Sequence, residues 1–106
     1  MRLTLAVLIA IIYMVHSPIV HASENNTTFC TKLGELAGRS MAARLEGKPL
    51  TDLLKVKFDP AVREVFQTII REAYARPLVD GDNAWVRNMS DFRNDVEEKC
   101  QSSLTK

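Results

Sequence analysis

The residues best equipped for chemistry are two cysteines, Cys30 and Cys100, and a group of carboxylates near the C-terminus, Asp91, Asp95, Glu97 and Glu98. A free thiolate is a nucleophile and a soft-metal ligand, whereas two thiols joined in a disulfide are neither. Carboxylates cleave glycosides when two of them face each other across a cleft. Asp91 and Asp95 instead stand one helical turn apart, with Glu97-Glu98 close behind, a spacing that crowds them onto one solvated helix face. The stretch Asp80-Gly81-Asp82-Asn83 has calcium-loop composition, but the bidentate glutamate at position 12 of such a loop is missing. Both histidines, His16 and His21, fall in an N-terminal segment with the marks of a cleaved signal. Without them the chain lacks the commonest general base and the commonest metal ligand. The reading is a protein with no catalytic residues, no metal site and no cofactor, and not an enzyme.

What remains is binding chemistry. Trp85 begins an apolar stripe, which assigns it to the core. It also stands in the first turn of its helix, where a partly exposed tryptophan would serve as an interface anchor. Arg76 and Phe58 flank the helices in connecting segments and complete a set of three candidate partner-binding residues: Phe58, Arg76 and Trp85. Arg44 lies beside an apolar face, where it would snorkel or pair with an acid. Tyr74 is expected to pack its ring and hydrogen-bond its hydroxyl. Asn25-Asn26-Thr27, Asn26-Thr27-Thr28 and Asn88-Met89-Ser90 match the glycan acceptor pattern. The third falls in the middle of a helix and reads as coincidence; the first two matter only in a eukaryotic source.

These residues sit in a small exported domain. Met1-Arg2 is a short positive start, Leu3 to Val15 is almost unbroken apolar sequence, and Ser17-Pro18 precedes the small-residue pattern Val20-His21-Ala22. That order predicts a secretory signal peptide, residues 1–22, cleaved after Ala22. The apolar run is shorter than the roughly 20 residues a spanning helix needs, so no stable membrane insertion is expected after cleavage. Removing 22 of the 106 residues leaves 84, Ser23–Lys106, as a single helical domain. Arg2 leaves with the signal, so 14 basic residues fall to 13 against 13 acidic ones, and the formal net charge becomes zero. Mixed signs with no basic stripe argue against a nucleic-acid partner. A core of this size is marginal alone. Two cysteines in an exported chain supply a staple between the two ends of the domain, worth roughly 4 kcal/mol for so long a loop.

The pattern along the domain is helical. Ser23 to Asn26 reads as frayed, with Asn26 or Thr27 as the first cap. Phe29, Cys30, Leu33, Ala37, Met41 and Leu45 recur on one helical face, with Gly34 and Gly38 beside it. The two glycines suggest close approach by a neighbouring helix. Gly47-Lys48-Pro49 ends the helix. Leu50 to Phe58 is ambiguous: Leu54 to Phe58 alternates with period two like a strand, but a lone strand has no partner here, so the favoured reading is a helical turn, capped by Thr51 or Asp52, running into an extended link. Asp59-Pro60 is a cap followed by a first-turn proline. Val62, Val65, Phe66, Ile69, Ile70 and Ala73 form the next core stripe, closed by Pro77. After the Asp80–Asn83 turn the last helix carries Trp85, Met89, Phe92, Val96 and Cys100 at spacings of three and four. Cys30 and Cys100 therefore both lie on buried faces, as a helix-to-helix disulfide requires.

The run Cys30-x3-Gly34, Ala37, Met41-Ala42-x-Arg44-x2-Gly47-x-Pro49-Leu50, with Ile69-Ile70-x2-Ala73-Tyr74-x2-Pro77 and the helix ending in Cys100, resembles small exported, disulfide-linked helical proteins of proteobacteria and their phages. The resemblance covers nearly the whole mature chain, and that group has no established activity. It implies an envelope location and the cysteine pairing, and no reaction. The expected fold is all-α: a small bundle of three main helices plus one short helix, with one disulfide between the first and last. The expected function is a periplasmic or secreted module that binds an envelope protein, as an inhibitor or immunity-type factor against an envelope-acting enzyme. A small stress chaperone of the periplasm is the alternative.

Overall fold

A computed structural model describes residues 26–104. The expected signal peptide, its cleavage site, both histidines and the segment from Ser23 to Asn25 lie outside the described residues. The fold is the expected all-α bundle. Among the described residues four helices follow one another: α1 over residues 26–45, α2 over Leu50–Leu54, α3 over Arg63–Ala75 and α4 over Ala84–Leu104. No strand occurs among the described residues. The core lies where the three long helices meet. Leu33, Ala37 and Met41 of α1 close against Ile69 and Ala73 of α3 and against Phe92 and Val96 of α4. Cys30 and Cys100 are joined with their Cα atoms 5.5 Å apart, linking α1 to α4 across a sequence separation of 70.

Local chemistry explains most of the boundaries. Gly47 takes φ +87°, the left-handed conformation that favours glycine. Its N–H donates to the Arg44 carbonyl at 3.0 Å, and the Lys48 N–H donates to the Ala43 carbonyl at 3.0 Å. These two bonds make a Schellman stop, which satisfies carbonyls at the end of α1 that have no partner inside the helix. At the other end, Asn26 and Thr27 are already helical rather than frayed or capping. The short α2 has Pro49 at its N-cap and no side-chain cap, so Thr51 and Asp52 lie inside the helix instead of preceding it. Asp59 does act as a cap: its Oδ1 accepts from the Ala61 N–H at 2.9 Å and its carbonyl accepts from the Val62 and Arg63 N–H groups. A single turn over 60–62 separates it from the regular helix, which begins at Arg63.

The expected role of the glycines holds at only one of them. A Cβ on Gly34 would fall on the Glu97 side chain, so α4 lies close against α1 there. A Cβ on Gly38 would meet no atom within 4 Å outside its own turn. Three side chains assigned to core stripes also depart from that reading. Phe29 is 40% exposed, Val65 44% and Trp85 46%. Each sits where its helix extends beyond, or at the edge of, the contact with its neighbours. Periodicity identifies the face of a helix, not the length over which that face is covered.

Candidate binding surface

The α3–α4 connection is held by polar side chains whose roles the sequence did not reveal. Arg44 neither snorkels freely nor pairs with an acid. Its guanidinium reaches from α1 to the end of α3 and donates to the carbonyls of Ala73 at 2.9 Å and Arg76 at 2.5 Å. Carbonyls at a helix C-terminus lack partners and carry partial negative charge, so a cation there both satisfies and neutralises them. Tyr74 behaves as expected. It packs against the core, and its hydroxyl donates to the Lys48 carbonyl at 2.6 Å, tying α3 to the turn after α1. Burial, with the negative Asp52 nearby, pushes that hydroxyl above its ordinary pKa; Arg44 pulls the other way.

Asn88 is the residue the sequence concealed. It is only 6% exposed and takes the buried place on the first turns of α4 that periodicity gave to Trp85. Its Oδ1 accepts from the Val79 N–H at 2.8 Å, and its Nδ2 donates to the Val79 carbonyl at 3.1 Å. One amide thus replaces a missing backbone partner for a residue in a connecting segment. With both ends of the amide engaged and buried, Asn88 is no glycan acceptor in the folded chain. The clamp holds the segment at 77–80 against α4. Gly81 at φ +103° and Asn83 at φ +59° complete the turn into the helix.

The three candidate binding residues do not form one cluster. Phe58 belongs to the α2–α3 link and stacks edge-to-face on Phe66, with ring centroids 5.1 Å apart and planes at 84°. Arg76 is committed within the chain. It pairs with Asp95 at 2.5 Å, and its guanidinium lies 5.3 Å from the Phe92 ring centroid. Those partners are seven and ten residues along α4 from Trp85, roughly 10–15 Å at 1.5 Å per residue. Trp85 is instead grouped in the chain with Leu78 (40% exposed), next to the clamped Val79, and with Val86. Of the four carboxylates expected on a solvated face, Asp91 and Glu98 are exposed, while Asp95 pairs with Arg76 and Glu97 with Arg93 at 3.2 Å.

A second apolar surface lies at the disulfide end. Phe29 of α1, Val65 of α3 and Leu104 of α4 stand exposed around a groove of about 390 Å³, whose floor includes Leu33, Ile69 and Val96. Glu72 lies on the α3 side and Lys99 on the α4 side. Among the described residues no group of histidine, cysteine or carboxylate side chains is placed to hold a metal ion, and no helix is long and apolar enough to cross a membrane. The disulfide fits an oxidising compartment. No known family model, no curated protein and no solved structure matches this chain, so what its surface can do is read from its own geometry.

Proposed function

We propose that the chain is an exported protein-binding module that acts by surface complementarity, as an inhibitor or immunity-type factor directed at an envelope protein. One observation carries this reading. The single tryptophan is 46% exposed, on a helix fixed by a disulfide at one end and by the Asn88 clamp at the other. Tryptophan is the side chain most enriched at binding hot spots. An anchor held on a rigid element loses little conformational freedom when it docks. Leu78 and Val86 are further exposed apolar side chains near Trp85 in the chain, and Phe58 and Arg76, the latter held by Asp95, are the more distant candidates. The resemblance to small exported helical proteins and the presence of a disulfide support a periplasmic or extracellular setting.

The test is capture on immobilised oxidised protein from the envelope fraction of its source, followed by titration with the purified partner. A stoichiometric complex at neutral pH is expected. Trp85→Ala should weaken it by at least about 1 kcal/mol, roughly fivefold in Kd, while Val56→Ala, at an exposed site in the other link, leaves it unchanged. Capture of nothing at neutral pH and of many unrelated proteins at low pH would replace this reading with that of an acid-activated chaperone.

A further inference from the structure

The groove at the disulfide end lies far from Trp85. Leu104 and Trp85 are 19 positions apart on one continuous helix, roughly 28 Å at 1.5 Å per residue. The exposed rim of the groove at Leu104 and the exposed Trp85 thus stand near opposite ends of α4. Large apolar side chains from three different helices converge on it, and scattered exposure does not produce that convergence.

The charges on its rim indicate what covers it. Glu72 and Lys99 stand on opposite walls, one on α3 and one on α4, and neither is in an ion pair among the described residues. A two-fold interface must be self-complementary: if position i meets position j, then j meets i. A rim of one sign would repel its own copy. One acid and one base on opposite walls satisfy the two-fold condition twice over. We propose that this groove is the contact face of a two-fold dimer of this chain, in which Phe29, Val65 and Leu104 of each copy pack into the other's groove and Glu72 of each copy meets Lys99 of the other. The small patch makes the dimer a weak one, populated as concentration rises.

Sedimentation equilibrium of the oxidised exported protein, over a concentration series reaching the high-micromolar range, is expected to show a mass rising from one chain to two. Val65→Glu adds a charge at an exposed site, so it should leave helicity and thermal unfolding unchanged and hold the protein at one chain throughout. Glu72→Lys and Lys99→Glu should each do the same alone. Mixed in equal amounts, the two charge variants should form a heterodimer by native mass spectrometry, because every rim pair is then opposite in sign. A monomeric wild-type chain at every concentration overturns the proposal. So does a dimer that survives Val65→Glu, or a mixture of the charge variants that stays monomeric. None of these results bears on Trp85, whose role is read from partner binding alone.

Discussion

Replacing each helical glycine of α1 with alanine separates two environments that look identical in the sequence. Alanine is favoured over glycine inside a helix by about 1 kcal/mol, and measured gains at compatible sites run at about 0.4–1 kcal/mol. At Gly38 nothing opposes that gain, because an added Cβ has no neighbour within 4 Å. Gly38→Ala should therefore stabilise by about 0.4–1 kcal/mol, raising Tm by roughly 2–8 °C for a domain of this size. At Gly34 the same methyl falls on the Cγ, Cδ and Oε1 of Glu97. The Glu97 side chain must turn away, breaking its pair with Arg93, which is partly exposed and worth about 0.3–0.5 kcal/mol, and losing its contact with α1. The two effects nearly cancel, so Gly34→Ala should lie near zero, while Gly34→Leu, which must displace more of α4, should cost about 1–3 kcal/mol. Adding Glu97→Ala to Gly34→Ala should recover the gain seen at Gly38, a coupling that a double-mutant cycle isolates. Urea denaturation of the oxidised proteins measures it; with a slope of about 1 kcal/mol/M, the Gly38→Ala midpoint should rise by about 0.4–1 M. A destabilised Gly38→Ala would refute the open environment assigned to that residue. Equal gains at both glycines would refute the packing of Glu97 on α1.

Cys100→Ser should lower stability by about 2–5 kcal/mol, and thiol labelling of the folded, unreduced wild-type chain should find no reactive cysteine. Arg44→Met keeps the apolar stem but removes both bonds to the end of α3, so it should cost about 1.5 kcal/mol by chemical denaturation, toward the lower end for a charged hydrogen bond at a part-buried site. The raised pKa of Tyr74 means that its contribution is fully present below about pH 10, the ordinary tyrosine value, and is lost as pH rises through the higher folded value. Thermal unfolding across that alkaline window should show a fall in Tm that is smaller in Tyr74→Phe.

The sequence was informative where one local interaction decides the structure, and silent where the extent of a neighbour decides it. Gly47 stops α1 because left-handed backbone favours glycine, and that requirement can be read without knowing the fold. Cys30 and Cys100 could be paired because both fall on apolar faces of long helices in a chain whose opening residues read as an export signal. Trp85 shows the opposite case. Its spacing to Met89 and Phe92 fits the core stripe, yet α3 ends at Ala75 and only an extended segment, held by Asn88, lies beside the first turns of α4. A polar amide was needed there to satisfy a backbone, and its motif read as a chance acceptor sequence. The Arg44 cap was equally concealed, because its partners are main-chain carbonyls 29 and 32 residues away and leave no trace in side-chain pattern. For the surface, residue types put Trp85 forward as a candidate anchor beside its assignment to the core, and it is exposed; the groove at the disulfide end arose from Phe29 and Val65, both of which periodicity had placed inside.

The bond between Cys30 and Cys100 also decides how the molecule answers mechanical force. A pull on the two ends of the chain enters α1 at its start and leaves α4 near its end, passing through the disulfide and not through the helices between. The 70-residue separation between the cysteines represents roughly 240 Å of extended chain, bridged by Cα atoms 5.5 Å apart. While the bond is oxidised, tension cannot draw out that length. A single proteolytic cut in the loop does not separate the pieces either, since both remain joined to the same covalent link.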